Sequence, residues 1–156
     1  MPRISAPGIP ISSYADESAF KLFCVDVGLL GALSGLESQV ILEGNSLFTH
    51  FKGALAEQYV CQQLVSDNGL VPYYWSAERG EAEVVFVVQT RGAVVPIEVK
   101  AEENLRAKSL GVFCRQNGIN NAVRLSLSGY REESWMSNVP LCAVHCLGEV
   151  FARRAR

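Results

Sequence analysis

The amino-acid sequence predicts an α/β fold with the core order α-β-β-β-α-β. Apolar residues recur at helical spacing over 47–66, which is typical of an amphipathic helix. Two strand-like runs follow at 82–89 and 94–101, and a second helical pattern at 105–116 precedes an apolar strand at 122–127. Alternation of these patterns in one chain indicates helices packed on a sheet.

The N-terminal part of the chain is predicted to be irregular over 1–17, because it is rich in proline and glycine and shows no periodicity. A short apolar segment at 20–25 is either a strand or the start of a helix. Asp26 is a candidate N-cap for a short helix that ends before Gly35, and 39–42 is a weak strand or a turn. The abrupt start leads us to expect the C-terminal part of a longer protein.

The chain is accordingly divided into an N-terminal linker and appendage over 1–45 and a core domain with a C-terminal tail over 46–156. Ser46 is the predicted N-cap of the long helix, and the aromatic run 71–76 is the first core strand. The last stretch is ambiguous: 139–147 is read as a final strand, followed by a short basic tail.

Composition excludes several classes of protein. Hydrophobic residues make up 49% of the 156 residues, which is enough for a packed core. The net charge of -2 means that nucleic-acid binding needs a local basic patch. Five scattered cysteines, no secretory signal and no membrane-length apolar run predict a cytoplasmic protein with free thiols and no membrane contact.

Glu98-Val99-Lys100 is the strongest chemical signal in the sequence. On a strand, residues i and i+2 emerge on the same side, so the carboxylate and the ammonium lie together. Metal-dependent phosphodiester cleavage uses such a pair: the carboxylate binds Mg²⁺, and the lysine positions or deprotonates the attacking water. The alternative is a solvated strand face or a structural ion pair.

One glutamate cannot hold a metal ion alone, so further carboxylates are required. Glu83 begins the neighbouring strand and can approach Glu98 across the predicted hairpin, with Val85 and Val87 on its own side of the strand. Glu57, at the margin of the apolar stripe of the long helix, can project toward the same edge. Both residues have a plainer interpretation as surface carboxylates.

The order of these elements and the Glu-x-Lys strand resemble the PD-(D/E)xK (restriction-endonuclease-like) nuclease superfamily. The chain is also similar to a domain of unknown function found C-terminal to the ATPase module of predicted AAA+ superfamily ATPases. That similarity is carried by a set of motifs in the family's order: Phe20-Lys21-Leu22-Phe23 with Asp26-Val27-Gly28-Leu29-Leu30, Lys52-Gly53 with Glu57, Tyr74-Trp75, Gly80 with Glu83-Val84 and Phe86-Val87-Val88, and Pro96-Ile97-Glu98-Val99-Lys100-Ala101.

The resemblance implies a restriction-endonuclease-like core in which Glu98, Lys100 and Glu83 are the catalytic candidates and Glu57, Glu83 and Glu98 the metal ligands. The family has Asp where this chain has Val85, so one expected ligand is missing. No G-x-x-x-x-G-K-[ST] motif occurs, so ATP hydrolysis by that route is not expected in this chain.

Three functional hypotheses remain open at this point. The first is a catalytically degenerate nuclease-fold domain of an AAA+ ATPase-type protein, which binds nucleic acid or protein or forms homo-oligomers. The second is an active Mg²⁺-dependent nuclease with Glu83 in place of the absent aspartate; DNA is a candidate substrate, and the sequence leaves the type of nucleic acid open. The third is a structural interaction domain without a cofactor.

Overall fold

A computed structural model describes residues 1–43, 49–77, 82–101 and 107–154 of the chain. The strands are β1 (Pro2–Ile4), β2 (Ala15–Phe20), β3 (Tyr73–Ser76), β4 (Glu83–Thr90), β5 (Ala93–Lys100), β6 (Ala122–Ser126), β7 (Arg131–Glu132) and β8 (Met136–Pro140). The α-helices are α1 (Val27–Leu33), α2 (Ser38–Glu43), α3 (Thr49–Ser66), α4 (Lys108–Asn117) and α5 (Leu147–Arg154), and 3₁₀ helices cover Ile11–Tyr14 and Leu141–Cys146.

The eight described strands form one mixed sheet in the order β2-β1-β3-β4-β5-β6-β8-β7. The predicted hairpin is confirmed, since β4 and β5 pair antiparallel with Phe86 opposite Ile97 and Thr90 opposite Ala93. Strand β6 runs parallel to β5, which requires a crossover, and α4 lies in that connection. The mixed α/β architecture predicted from the sequence is therefore confirmed.

Helices cover both faces of the sheet. On one face α3 and the C-terminal 3₁₀ and α5 helices pack in a cluster that includes Val60, Leu64 and Phe151. On the other face α4 packs through Leu110 and Phe113 in a second cluster. Central strand residues on both sides are fully buried, as expected of strands covered by helices, which explains the near-continuous apolar run in β4.

Strand β4 contains an irregularity close to the predicted site. Tyr73 pairs with Val87, but Trp75 pairs with Val84, so β4 advances three residues while β3 advances two. Side chains follow the same shift, because Val84 and Val87 belong to one cluster whereas Val85 belongs to the other. The prediction that Val85 and Val87 share a face was wrong, because regular alternation does not pass through a bulge.

Several predictions about the ends of the chain were also wrong. Residues 1–17 were expected to be irregular, yet β1 inserts between β2 and β3 and pairs parallel with β3. The segment 39–42 lies in helix α2 rather than in a strand. Residues 141–147 form 3₁₀ and α-helix after β8, and the predicted tail forms α5 as far as Arg154.

Other local predictions hold. The Asp26 side chain accepts a hydrogen bond of 2.8 Å from the Leu29 amide at the start of α1, so it is the N-cap. The predicted N-cap Ser46 lies outside the described residues. No helix among the described residues has the length and apolar character needed to cross a membrane.

Candidate functional site

Glu98 and Lys100 form an ion pair at the end of β5. The Lys100 Nζ atom lies 2.6 Å from Glu98 Oε1. Glu98 is buried, with 7% of its surface exposed, whereas about a third of the Lys100 side chain reaches solvent. Strand alternation places both groups on the same side, as the sequence predicted. The positive charge of the lysine therefore compensates the negative charge of a carboxylate that has little access to water.

Glu83, at the start of β4, is held by a residue that sequence reasoning did not select. The Lys21 Nζ atom donates to Glu83 Oε1 and forms an ion pair with it. The same ammonium group lies 5.0 Å from the centroid of the Tyr74 ring, within the distance for a cation–π interaction. Lys21 follows directly after β2, so a segment far from the hairpin in sequence supplies a charge to it.

Glu57 lies on α3, half-buried, and completes the group of charges. Burial raises the pKa of its carboxyl above the usual value, the positive charge of Lys21 opposes this rise, and the negative charges of Glu83 and Glu98 add to it. Lys100 also lowers it, to a smaller extent. Glu57 is therefore close enough to interact electrostatically with both ion pairs, and we refer to these five residues as the charge cluster.

Helix α3 also anchors the segment that carries Lys21. Gln58 is buried, and its side-chain amide binds both backbone groups of Cys24: Oε1 accepts from the Cys24 amide and Nε2 donates to the Cys24 carbonyl, each at 2.8 Å. One turn later Gln62 Oε1 accepts from the Val27 amide at 3.0 Å. Sequence reasoning placed Gln58 within the long helix, but no pattern in the sequence indicated its contact with Cys24.

Val85, where the resemblance leads us to expect a ligand aspartate, is 7% exposed and packs in the apolar cluster with α3. A valine side chain has no oxygen to offer a metal ion, whereas Mg²⁺ binds through oxygen ligands. Its packing shows that this position contributes to the core.

The donor set does not fit a three-ligand metal centre. Throughout the described parts of the chain, no three His, Cys, Asp or Glu side chains come together in a group that could hold a metal ion. Glu83 and Glu98 are each engaged by a lysine instead. One feature points the other way: Glu98 Oε2 is buried and accepts no hydrogen bond from the described residues.

The structure thus brings all four predicted site residues, Glu57, Glu83, Glu98 and Lys100, into one charge cluster and adds Lys21. Whether any of them acts in catalysis stays a prediction. The predicted second and third strands pair as the β4–β5 hairpin, and the long helix α3 brings Glu57 close enough to interact with the charges on that hairpin.

Comparison with protein-family models gives one match: the family described as a domain of unknown function (DUF4143) matches residues 52–144. This span exceeds half of the chain and contains most of α3 and the whole β4–β5 hairpin. Lys21 lies before the matched residues. Neither the comparison with curated proteins nor the comparison with solved structures gives a match.

Proposed function

Since the chain belongs to the DUF4143 family of unknown function, we propose that it is a nuclease-fold domain with a degenerate catalytic site that acts by binding a protein partner. In this proposal it is the non-ATPase part of an AAA+ ATPase-type system in the cytoplasm, and the ATPase module is the partner. The AAA+ context and the nuclease superfamily come from the sequence resemblance.

The observation that carries the proposal is the state of the carboxylates. Glu83 and Glu98 are each neutralised by a lysine of the same chain, and position 85 offers a buried methyl surface instead of an oxygen. A Mg²⁺ ion in a nuclease depends on few protein oxygens, so the loss of one weakens the site strongly. The arrangement supports a nuclease-shaped domain without nuclease chemistry.

A protein partner is favoured by the distribution of exposed apolar side chains. Seven of the thirteen large apolar residues that are exposed in the described parts of the chain lie in the segment 20–42: Phe20, Leu22, Val25, Leu29, Leu33, Ile41 and Leu42. Exposed apolar surface beyond scattered single residues is characteristic of protein interaction sites, and this segment supplies most of the exposed large apolar side chains. Binding to nucleic acid depends instead on free cations, and Lys21 and Lys100 are already paired within the protein.

Catalytic degeneracy is tested by incubating supercoiled plasmid with the purified protein and Mg²⁺ or Mn²⁺, with Lys100→Ala as the matched variant. We expect the unmodified protein to leave the plasmid intact. Cleavage by the unmodified protein that is lost in Lys100→Ala would overturn this part of the proposal.

The binding part is tested by co-expressing the chain with an AAA+ ATPase module that the same genome encodes next to or upstream of this chain. Leu22→Glu and Leu42→Glu, at positions exposed by 85% and 86%, are expected to weaken the complex in size-exclusion chromatography. Leu127→Glu is the control, because Leu127 is exposed but lies between β6 and β7. Equal binding by all variants, or tight binding of a labelled DNA duplex instead, contradicts the proposal.

The second candidate is the active Mg²⁺-dependent nuclease, and one observation favours it. The buried Glu98 Oε2 has no hydrogen-bond donor among the described residues, and a metal ion would satisfy it. The plasmid assay separates this alternative from the first, because it requires cleavage by the unmodified chain.

A further inference from the structure

Lys21 lies where it acts on two of the three carboxylates of the charge cluster, Glu83 and Glu57. Its ammonium group pairs with Glu83, rests on the Tyr74 ring, and is the largest favourable charge acting on Glu57. About a quarter of its side chain is exposed, which is low for a lysine. Lys21 is therefore a built-in part of this site rather than a freely moving surface charge.

The backbone around Lys21 is fixed at two points. Met1 and Lys21 exchange hydrogen bonds: the Lys21 amide donates to the Met1 carbonyl at 2.9 Å, and the Met1 amino group donates to the Lys21 carbonyl at 3.0 Å. Three residues later, Gln58 binds both backbone groups of Cys24. Because the backbone is held at Lys21 itself and again at Cys24, the ammonium group has a defined position relative to Glu83.

The charges of the cluster nearly balance without any added ion. It contains three carboxylates, Glu57, Glu83 and Glu98, and two ammonium groups, Lys21 and Lys100. Since lysines pair with two of the three carboxylates, only one negative charge is left over, whereas divalent-cation binding depends on a larger excess of negative charge and on free oxygens.

We propose that Lys21 is a tethered cation that takes the place of a divalent metal ion beside Glu57 and Glu83 and thereby excludes Mg²⁺ and Mn²⁺ from the charge cluster. The inference rests on the proposed degeneracy of the site. It explains how carboxylates with like charge stay close together without a metal ion. Lys100 differs from Lys21 in this respect, because the Glu-x-Lys pattern places a lysine next to the glutamate in metal-dependent sites as well.

The test is a titration of the full chain with Mn²⁺, in which electron paramagnetic resonance measures the free ion. Lys21→Met keeps an unbranched chain against Tyr74 but removes the charge. We expect it to bind Mn²⁺ at least about tenfold more tightly than the unmodified protein. Lys21→Arg keeps the charge and Lys108→Met removes an exposed lysine of α4, so both should bind Mn²⁺ as weakly as the unmodified protein.

Equal Mn²⁺ affinity in Lys21→Met and the unmodified protein overturns the inference, and so does a gain of the same size in Lys108→Met. Circular dichroism establishes that each variant is folded, and Lys21→Gln replaces Lys21→Met if the latter is not. Stoichiometric Mn²⁺ binding by the unmodified chain overturns the inference without any variant.

The inference and the proposed function fail differently. Plasmid cleavage by the unmodified protein removes the proposed function, whereas an unchanged Mn²⁺ affinity in Lys21→Met with no cleavage removes only the role of Lys21.

Discussion

The Glu98–Lys100 pair allows a quantitative test of whether the cluster is a structural arrangement. Replacing Lys100 with methionine leaves the Glu98 carboxylate buried and without the cation that lies 2.6 Å away. Replacing Glu98 with glutamine instead leaves a lysine whose side chain is 34% exposed and can turn into solvent. The two substitutions remove the same ion pair, but they leave very different residual groups.

The expected costs follow from this asymmetry. Removing one partner of a fully buried ion pair costs about 3–5 kcal/mol, because an uncompensated charge is left behind. Lys100 is partly exposed and water can reach the site, so we expect about 2 kcal/mol for Lys100→Met. Glu98→Gln should cost about 1 kcal/mol or less, and the double variant about 1 kcal/mol, since neither leaves a buried charge. The coupling free energy is then about 1–2 kcal/mol.

Urea unfolding followed by the fluorescence of Trp75 and Trp135 measures these differences. With a urea slope of about 2 kcal/mol per molar, Lys100→Met should lower the midpoint by about 1 M. Lys52→Met is the matched control, because it removes an exposed lysine from α3 and should change stability little. If Lys100→Met costs no more than Glu98→Gln, the assignment of Glu98 as a buried charge held by Lys100 is refuted.

Three further predictions concern the cluster and its surroundings. Burial raises the folded-state pKa of Glu57 above its usual value of 4.5, so ionisation of Glu57 destabilises the fold as pH rises. At neutral pH, Glu57→Gln should therefore melt at a higher temperature than the unmodified protein. This difference in melting temperature should vanish below about pH 4.5. Burial raises the pKa of the Cys114 thiol to about 11, so a disulfide reagent at pH 8 should modify exposed Cys142 first and reach Cys114 only on unfolding, as peptide mapping would show. Val85→Asp introduces a carboxyl at a buried position and should lower the free energy of unfolding by about 2–4 kcal/mol. Mn²⁺ should restore the melting temperature of this variant only when Lys21→Met is also present. Restoration in the single variant would count against the tethered cation.

The central part of the fold was predictable because periodicity is strong there. Helix α3, the β4–β5 hairpin, α4 and β6 all follow patterns set by burial on one or both faces. The N-terminal strands were missed because β1 has three residues and begins at a proline, and its position depends on pairing with β3, far along the chain. Helix α2 was misread because a short Val-Ile-Leu run has no period long enough to separate helix from strand.

The site was predictable to the extent that it depends on local spacing. Glu98 and Lys100 are two residues apart on one strand, and Glu83 follows from the hairpin. The bulge in β4 was not predictable, because nothing in Val84-Val85-Phe86-Val87 distinguishes a regular strand from one with an inserted residue. Its consequence is local but important, since Val85 is directed into the cluster packed against α3.

Lys21 shows why the remaining part of the site required the structure. It lies 62 residues from Glu83 in sequence. The contact is created by the β1–β2 pairing and by the hydrogen bonds of the Gln58 side chain to the Cys24 backbone. The absence of an oxygen at position 85 and the presence of an ammonium group next to Glu83 are separate features, one of the ligand set and one of the charge. In our proposal each feature lowers the affinity for a divalent cation by a different physical route, so their occurrence at one site supports a site that is stabilised without metal more strongly than the valine alone.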